Sequence, residues 1–169
     1  FFGFTEEFFY QRNFAFIVFP LLAAYFAWKQ NVSTKKITVA SIAILVSVLY
    51  INFLPNNNQS DTLILACLHL PLFLWAVLGF TYLGKDIKNN QQRLNFLRYN
   101  GDLVVMTAII LLAGGLFTIL TINLFSLIDI HIEEFYFKNI GILGLAAAPI
   151  VGTFLVQTNP QLVNKVSPV

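Results

Sequence analysis

The sequence predicts an all-α, polytopic transmembrane helical bundle, and three observations support this fold class. Hydrophobic residues make up 57% of the 169-residue chain and charged residues only 11%, whereas soluble domains carry about 25% charged residues. The mean hydropathy is +0.74. The apolar residues also occur in blocks long enough to cross a hydrocarbon core of about 30 Å. We therefore expect residues 1–169 to form a single transmembrane domain.

Five apolar segments are predicted to span the membrane. Helices are expected, because the strands of a membrane barrel are about half as long and alternate in polarity. The fourth segment is the longest, and Gly114-Gly115 near its middle is the expected place for a bend. The five segments cover approximately residues 14–28, 37–54, 63–83, 103–128 and 140–156.

A short cytoplasmic amphipathic helix is predicted between the third and fourth segments, at residues 84–99. Its apolar side chains share one helical face, which suits a helix lying on the membrane surface. A solvated loop is the alternative. Asn100-Gly101 then predicts a turn, after which Asp102 would cap the fourth spanning helix. The residues of the shared face are Leu83, Ile87, Leu94 and Leu97.

The basic residues predict the orientation of the chain. With five crossings, only Arg12 and Lys138 fall on one side of the membrane. The positive-inside rule assigns the more basic side to the cytoplasm, so the chain is expected to start outside and to end in the cytoplasm. The basic residues on the cytoplasmic side would be Lys29, Lys35, Lys36, Lys85, Lys88, Arg93, Arg98 and Lys165.

Two stretches of the chain resemble each other and predict an internal repeat. Residues 6–13 and 133–139 each contain an acidic pair, three aromatic residues, a cation and an asparagine. Each stretch precedes an apolar segment with an internal proline, Pro20 or Pro149. Both copies would enter the membrane from outside, which gives a parallel repeat of a four-helix unit. Chance similarity is the alternative. The chain lacks an initial methionine, and we expect it to be an excerpt of a longer protein.

Titratable side chains within the hydrocarbon region often mark functional sites. His69 is the only such residue well inside a predicted span. It would act as a proton relay or substrate ligand, or would simply hydrogen-bond to a neighbouring helix. Asn123 is the second candidate polar residue within the membrane. As a class, the polar residues of the spans are expected to hydrogen-bond between helices. They are Asn52, Thr107, Thr118, Thr121 and Asn123.

A seam of small residues is predicted on the fifth segment. Gly144, Ala148 and Gly152 recur every four residues on one helical face, where they would let another helix approach closely. We interpret this pattern as a packing signal.

No enzymatic or cofactor-binding motif is evident in the sequence. It contains no phosphate-binding glycine loop, nucleophile elbow or paired His–Glu zinc motif. The densest group of possible metal ligands lacks its aspartate and histidine in the first copy of the repeat, so we expect no metal site. We likewise expect no catalytic residue, no cofactor and no enzyme. The group consists of Asp129, His131, Glu133 and Glu134.

Four stretches give the chain a resemblance to an uncharacterised bacterial family of multi-pass membrane proteins, a domain of unknown function. The resemblance implies a bacterial inner (cytoplasmic) membrane location and a longer parent protein. It implies no catalytic or binding residue. The stretches are residues 6–13, 99–102, 132–138 and 147–152.

Two functions are expected from these features. In the first, the chain is half of a transporter-like bundle, with His69 and Asn123 along a polar path. In the alternative, it is a non-catalytic membrane scaffold or sensor module that binds partner proteins. The expected partners are the lipid bilayer, the remaining helices of the parent chain, and a homo-oligomer or another membrane protein. A net charge of +2 gives no reason to expect nucleic acid.

Overall fold

A computed structural model describes residues 6–55, 61–84 and 89–159, together with the side chains of all of these except residues 6–11. Every regular element in these ranges is helical. The helices are α1 (Glu6–Lys29), α2 (Thr34–Phe53), α3 (Asp61–Tyr82), α4 (Asn90–Ser126) and α5 (Glu133–Thr158). Lys85, Lys88 and Lys165, which the charge argument uses, lie outside the described residues.

Four helices, α2 to α5, are long and apolar enough to cross a membrane. This finding supports a membrane protein. The first predicted span lies in α1, a helix of 24 residues that is not among the four. α1 carries Glu6, Glu7, Arg12 and Lys29, and these charges lower its mean hydropathy.

The chain folds as two compact units, residues 1–96 and 97–169. In the first unit, α1, α2 and α3 pack against one another and alternate in direction. The start of α1 lies at the end of α2, where Arg12 binds the carbonyl oxygen of Leu54. The start of α2 lies at the end of α3, where the Nζ of Lys36 donates to the carbonyl oxygen of Gly84.

The core of the first unit consists of apolar side chains from all three helices. Ile51 of α2 and Leu70 and Leu74 of α3 are buried together. Phe16 and Phe19 of α1 pack against them. Alternating directions and one shared apolar core define this unit as a three-helix bundle.

The first turns of α4 also dock on the three-helix bundle. Phe96 is buried, and its ring contacts the rings of Trp75 and Tyr82 at centroid distances of 5.5 and 5.1 Å. Gly79 of α3 makes this contact possible, because a Cβ there would lie 3.1 Å from Cε1 of Phe96.

The prediction of a separate amphipathic helix ending at a turn was wrong. α4 runs without interruption through Asn100, Gly101 and Asp102 to Ser126, so Asp102 caps nothing. A glycine within a helix costs only about 1 kcal/mol. The buried hydrogen bond between Tyr99 Oη and Thr153 Oγ1, at 2.8 Å, lies beside the expected turn and stabilises the helical path there.

The second unit comprises the rest of α4 and all of α5. α5 begins with an α-helical turn (Glu133–Phe135), widens into a π-helical segment (Tyr136–Gly141) and continues as an α-helix (Ile142–Thr158). α4 and α5 meet where Gly152 faces Leu103 and Thr107. The most apolar part of α4 is not buried within the described residues, so its surface is available to lipid or to further helices.

Candidate functional site

An open groove lies between α2 and α3 in the first unit. Its volume is about 480 Å³, within the range of about 300–1,000 Å³ that is usual for small-molecule sites. The groove occupies the C-terminal half of α2 and the N-terminal half of α3. Its lining consists of Val46, Ser47, Tyr50, Ile51, Thr62, Leu65, Ala66, His69, Leu70 and Phe73.

His69 is the only titratable imidazole in this lining, and its local geometry orients the ring. Nδ1 lies 2.8 Å from the carbonyl oxygen of Leu65, one helical turn earlier. Because a carbonyl oxygen only accepts, Nδ1 carries the proton of this hydrogen bond. In the neutral imidazole Nε2 then keeps a lone pair and acts as an acceptor. His69 is an exposed residue on the groove rather than one sealed between helices.

A second groove lies between α1 and α2, toward the opposite end of the three-helix bundle. Its volume is about 360 Å³, and its lining is mostly apolar. Along the sequence of α2, the second lining ends at Leu45 and the first begins at Val46. The second lining consists of Pro20, Ala23, Ala24, Ala27, Ile37, Ala40, Ser41, Ile44, Leu45 and Thr81.

The polar residues of the predicted spans form two kinds of hydrogen bond, one between helices and one within a helix. Asn52 bonds between helices: its side-chain amide and that of Asn13 donate to each other, at 3.0 and 3.1 Å. Asn123 Nδ2 donates to the carbonyl oxygen of Ile119 in the same helix, and a bond of Asn123 between helices stays a prediction. Thr118 and Thr121 bond to their own helix in the same way. A backbone carbonyl four residues earlier is always within reach of such side chains.

Asn123 is exposed in the second unit, and His69 belongs to the first. The shared polar path that was expected to contain both residues therefore stays a prediction.

Arg12 is the most prominent polar residue that the sequence analysis missed. Its side chain is 2% exposed. Nη1 donates to the carbonyl oxygens of Ile51 and Leu54, both at 2.8 Å, and Nη2 donates to that of Pro55 at 3.3 Å. The guanidinium thus satisfies carbonyl groups at the end of α2, where the helix leaves them without partners. The available signal was Arg12-Asn13 next to an apolar segment, a pattern that by itself indicates only a charge outside the membrane.

Only part of the predicted small-residue seam is in contact with another helix in the second unit. Ala148 and Gly152 are buried, and a Cβ at Gly152 would lie 3.0 Å from Oγ1 of Thr107 and 3.2 Å from Cδ1 of Leu103. Gly152 therefore permits a close approach of α4 and α5. Gly144 is exposed, and a Cβ there would meet nothing within 4 Å.

The group of possible metal ligands near the start of α5 is spread out. His131 Nδ1 lies 3.7 Å from Glu133 Oε1, and both side chains are well exposed. Within residues 6–55, 61–84 and 89–159, no three His, Cys, Asp or Glu side chains are grouped closely enough to hold a metal ion. The arrangement at Asp129 to Glu134 offers one exposed ion pair when His131 is protonated.

The residues of the first groove are suited to binding a small molecule. Apolar side chains form most of its wall, and hydroxyl and imidazole groups supply a few directional contacts. Comparison with known proteins adds no family or fold, since no protein-family model, curated protein or solved structure matches the chain.

Proposed function

We propose that this chain is part of a multi-pass protein of the bacterial inner membrane in which all five helices cross the bilayer. α1 supports the fifth crossing, because it has 24 residues and packs along α2 and α3. Its charges lie near its ends, and Arg12 is covered by backbone carbonyls instead of lipid. The proposed bacterial location rests on the sequence resemblance alone, since no family model matches the chain.

The proposed orientation puts the start of the chain outside and its end in the cytoplasm. Eight of the ten Lys and Arg residues then face the cytoplasm. The alternation of α1, α2 and α3 is consistent with this assignment, because Lys36 and Gly84 lie at one end of the bundle and Arg12 at the other. The predicted parallel repeat belongs to the same proposal. It is supported by α1 and α5, each of which includes its acidic pair.

The function that we propose is that of half of a transporter-like bundle. One observation carries this proposal: two grooves lie toward opposite ends of the three-helix bundle, and α2 contributes to the lining of both. A transporter binds its substrate near the bilayer midplane and exposes the site to each side in turn. Small movements of α2 against α1 and α3 would extend one groove and close the other.

Cysteine accessibility tests this function. Phe73 lies near the middle of α3 and lines the first groove, whereas Leu72 is exposed on another face at the same depth. In a protein whose native Cys67 has been replaced by alanine, we expect Phe73→Cys to react with a membrane-impermeant thiol reagent from either side of the membrane. Leu72→Cys is the matched control and should resist the reagent from both sides.

Each outcome of the accessibility experiment decides between the two functions. Modification of Phe73→Cys in both right-side-out and inverted vesicles would support alternating access. Modification from one side alone, or equal modification of Leu72→Cys, would contradict it.

The alternative function, a scaffold or sensor module, is favoured by a different observation. Gly144 continues the small-residue seam but faces open space in the second unit. A partner helix could pack closely there. This alternative makes its own prediction about Gly144, which is set out in the Discussion.

A further inference from the structure

The first groove has features that specify the chemistry of an occupant, which the proposed function leaves open. The groove is open, and three of its lining residues are well exposed: Val46, Tyr50 and Leu65 each have an exposed fraction of 58%. In the proposed five-crossing arrangement, α2 and α3 place the groove at the depth of the hydrocarbon region. A molecule dissolved in the bilayer is then at the same depth as the open groove.

The charge of the occupant follows from the lining. The ten described residues of the groove include no Lys, Arg, Asp or Glu. A charged group placed here would lose its hydration without gaining a counter-ion, which is strongly unfavourable. The groove therefore suits an uncharged molecule.

The polar contact follows from His69. In the neutral imidazole, Nδ1 donates to the carbonyl oxygen of Leu65, so the Nε2 lone pair is an acceptor for an occupant of the groove. Its complement is a hydroxyl or N–H donor. The neighbouring walls at Val46, Leu70 and Phe73 are apolar and suit a hydrocarbon chain.

We propose that the groove between α2 and α3 binds a neutral lipid alcohol, a bilayer molecule with an uncharged hydroxyl headgroup and an acyl tail. The hydroxyl donates to Nε2 of His69, and the tail packs along Val46, Leu70 and Phe73. This assignment rests on the proposed function, since it names the substrate class of the same groove.

The test is photo-crosslinking of the purified protein in lipid nanodiscs, with diacylglycerol carrying a diazirine in one acyl chain as the probe. We expect the probe to label peptides of α2 and α3 and unlabelled diacylglycerol to compete. Two matched probes, the 3-methoxy analogue and phosphatidic acid with the same chains, should label these peptides weakly. The methoxy analogue lacks the donor, and phosphatidic acid carries charge.

Variants at the groove separate the hydrogen bond from the apolar contacts. His69→Phe removes the acceptor and should weaken competition by about fivefold, the loss expected for one hydrogen bond. His69→Gln keeps an acceptor oxygen and should retain most of the binding. Phe73→Trp narrows the groove and should abolish labelling, whereas Leu72→Ala, outside the groove, should leave it unchanged. Circular dichroism establishes that each variant is folded.

The outcomes are distinguishable from those of the transport experiment. Equal labelling by all three probes, or unchanged binding in His69→Phe, would overturn the lipid alcohol assignment even if Phe73→Cys reacts from both sides. Selective labelling by diacylglycerol with access from one side alone would support the ligand and contradict transport.

Discussion

At the scale of single residues, Arg12 illustrates how a cation can be held within an apolar bundle. Its guanidinium has five N–H donors in a planar arrangement, and three backbone carbonyl groups at the end of α2 accept from it. The C-terminus of a helix also carries partial negative charge, which favours a cation there. Asn13 adds a reciprocal amide pair with Asn52 next to this contact. Together these contacts fasten the start of α1 to the end of α2.

Replacement of Arg12 by leucine should destabilise the first unit. The carbonyl groups of Ile51 and Leu54 would lose their donor within a buried region, at a cost of about 2 kcal/mol in the free energy of unfolding. Arg12→Lys should have an intermediate effect, because one ammonium group cannot reproduce the planar set of donors. Thermal unfolding of the detergent-solubilised protein, followed by circular dichroism, measures the change.

Lys35→Leu provides the matched control for Arg12, since Lys35 is exposed and its replacement removes the same charge. It should change the unfolding temperature little. An equal loss of stability in both variants would show that net charge matters and that the contact with α2 does not.

At the scale of helices, close approach decides how α4 and α5 pack. Gly152 lies against Leu103 and Thr107, and the neighbouring Thr153 hydrogen-bonds to Tyr99. Without a strong hydrophobic driving force between helices in lipid, such packing and hydrogen bonding stabilise the contact. Gly144, two turns earlier in α5, has no such neighbour.

Leucine substitutions at the two glycines should therefore differ in their effect on stability. Gly152→Leu would place a side chain against Leu103 and Thr107 and should reduce the free energy of unfolding by about 1–3 kcal/mol. Gly144→Leu should leave folding intact, because the space around it is open. Thermal unfolding distinguishes these two effects.

The same Gly144→Leu variant discriminates between the two functions. If the protein is a scaffold that uses this surface, the variant should lose its oligomer or its co-purifying partner. If it is a transporter of the proposed kind, the variant should have the same particle mass as the unsubstituted protein. Size-exclusion chromatography with light scattering provides the readout. An unchanged mass and unchanged co-purification in Gly144→Leu would remove the support for the scaffold.

At the scale of the whole molecule, the orientation is the central prediction. Truncations fused to alkaline phosphatase or to green fluorescent protein at Asn31, Asn58 and Asn89 report each connection in turn. Asn31 and Asn89 lie outside the helices, since α4 begins at Asn90, and Asn58 lies in the sequence between α2 and α3. We expect phosphatase activity only at Asn58 and fluorescence at Asn31 and Asn89, because the basic residues flank the latter two.

The same reporter signal from the fusions at Asn58 and Asn89 would contradict the crossing of α3. Phosphatase activity at Asn31 would contradict the proposed orientation. Fluorescence at both Asn31 and Asn58 would indicate that α2 does not cross the membrane.

The local sequence pattern was sufficient to predict the helical class and the approximate positions of the helices. Long apolar blocks in a chain of low charge leave few alternatives, because backbone groups in lipid must be satisfied within each segment. The turn at Asn100-Gly101 was predicted wrongly because the prediction used only local preference. Its local preference is weak beside the buried contact of Tyr99 with Thr153, a residue 54 positions away in the sequence.

Composition and short-range pattern were enough to predict a helical, strongly apolar protein rich in membrane-length segments, since these properties depend on residues close together in the chain. The packing of the helices was needed to find that Arg12 is buried at the end of α2, that Gly152 and not Gly144 is in a close contact, and that His69 lines a groove. Each of these depends on which helices are neighbours and in what register. Apolar periodicity contains little of that information here, because lipid-facing and core-facing side chains are equally hydrophobic.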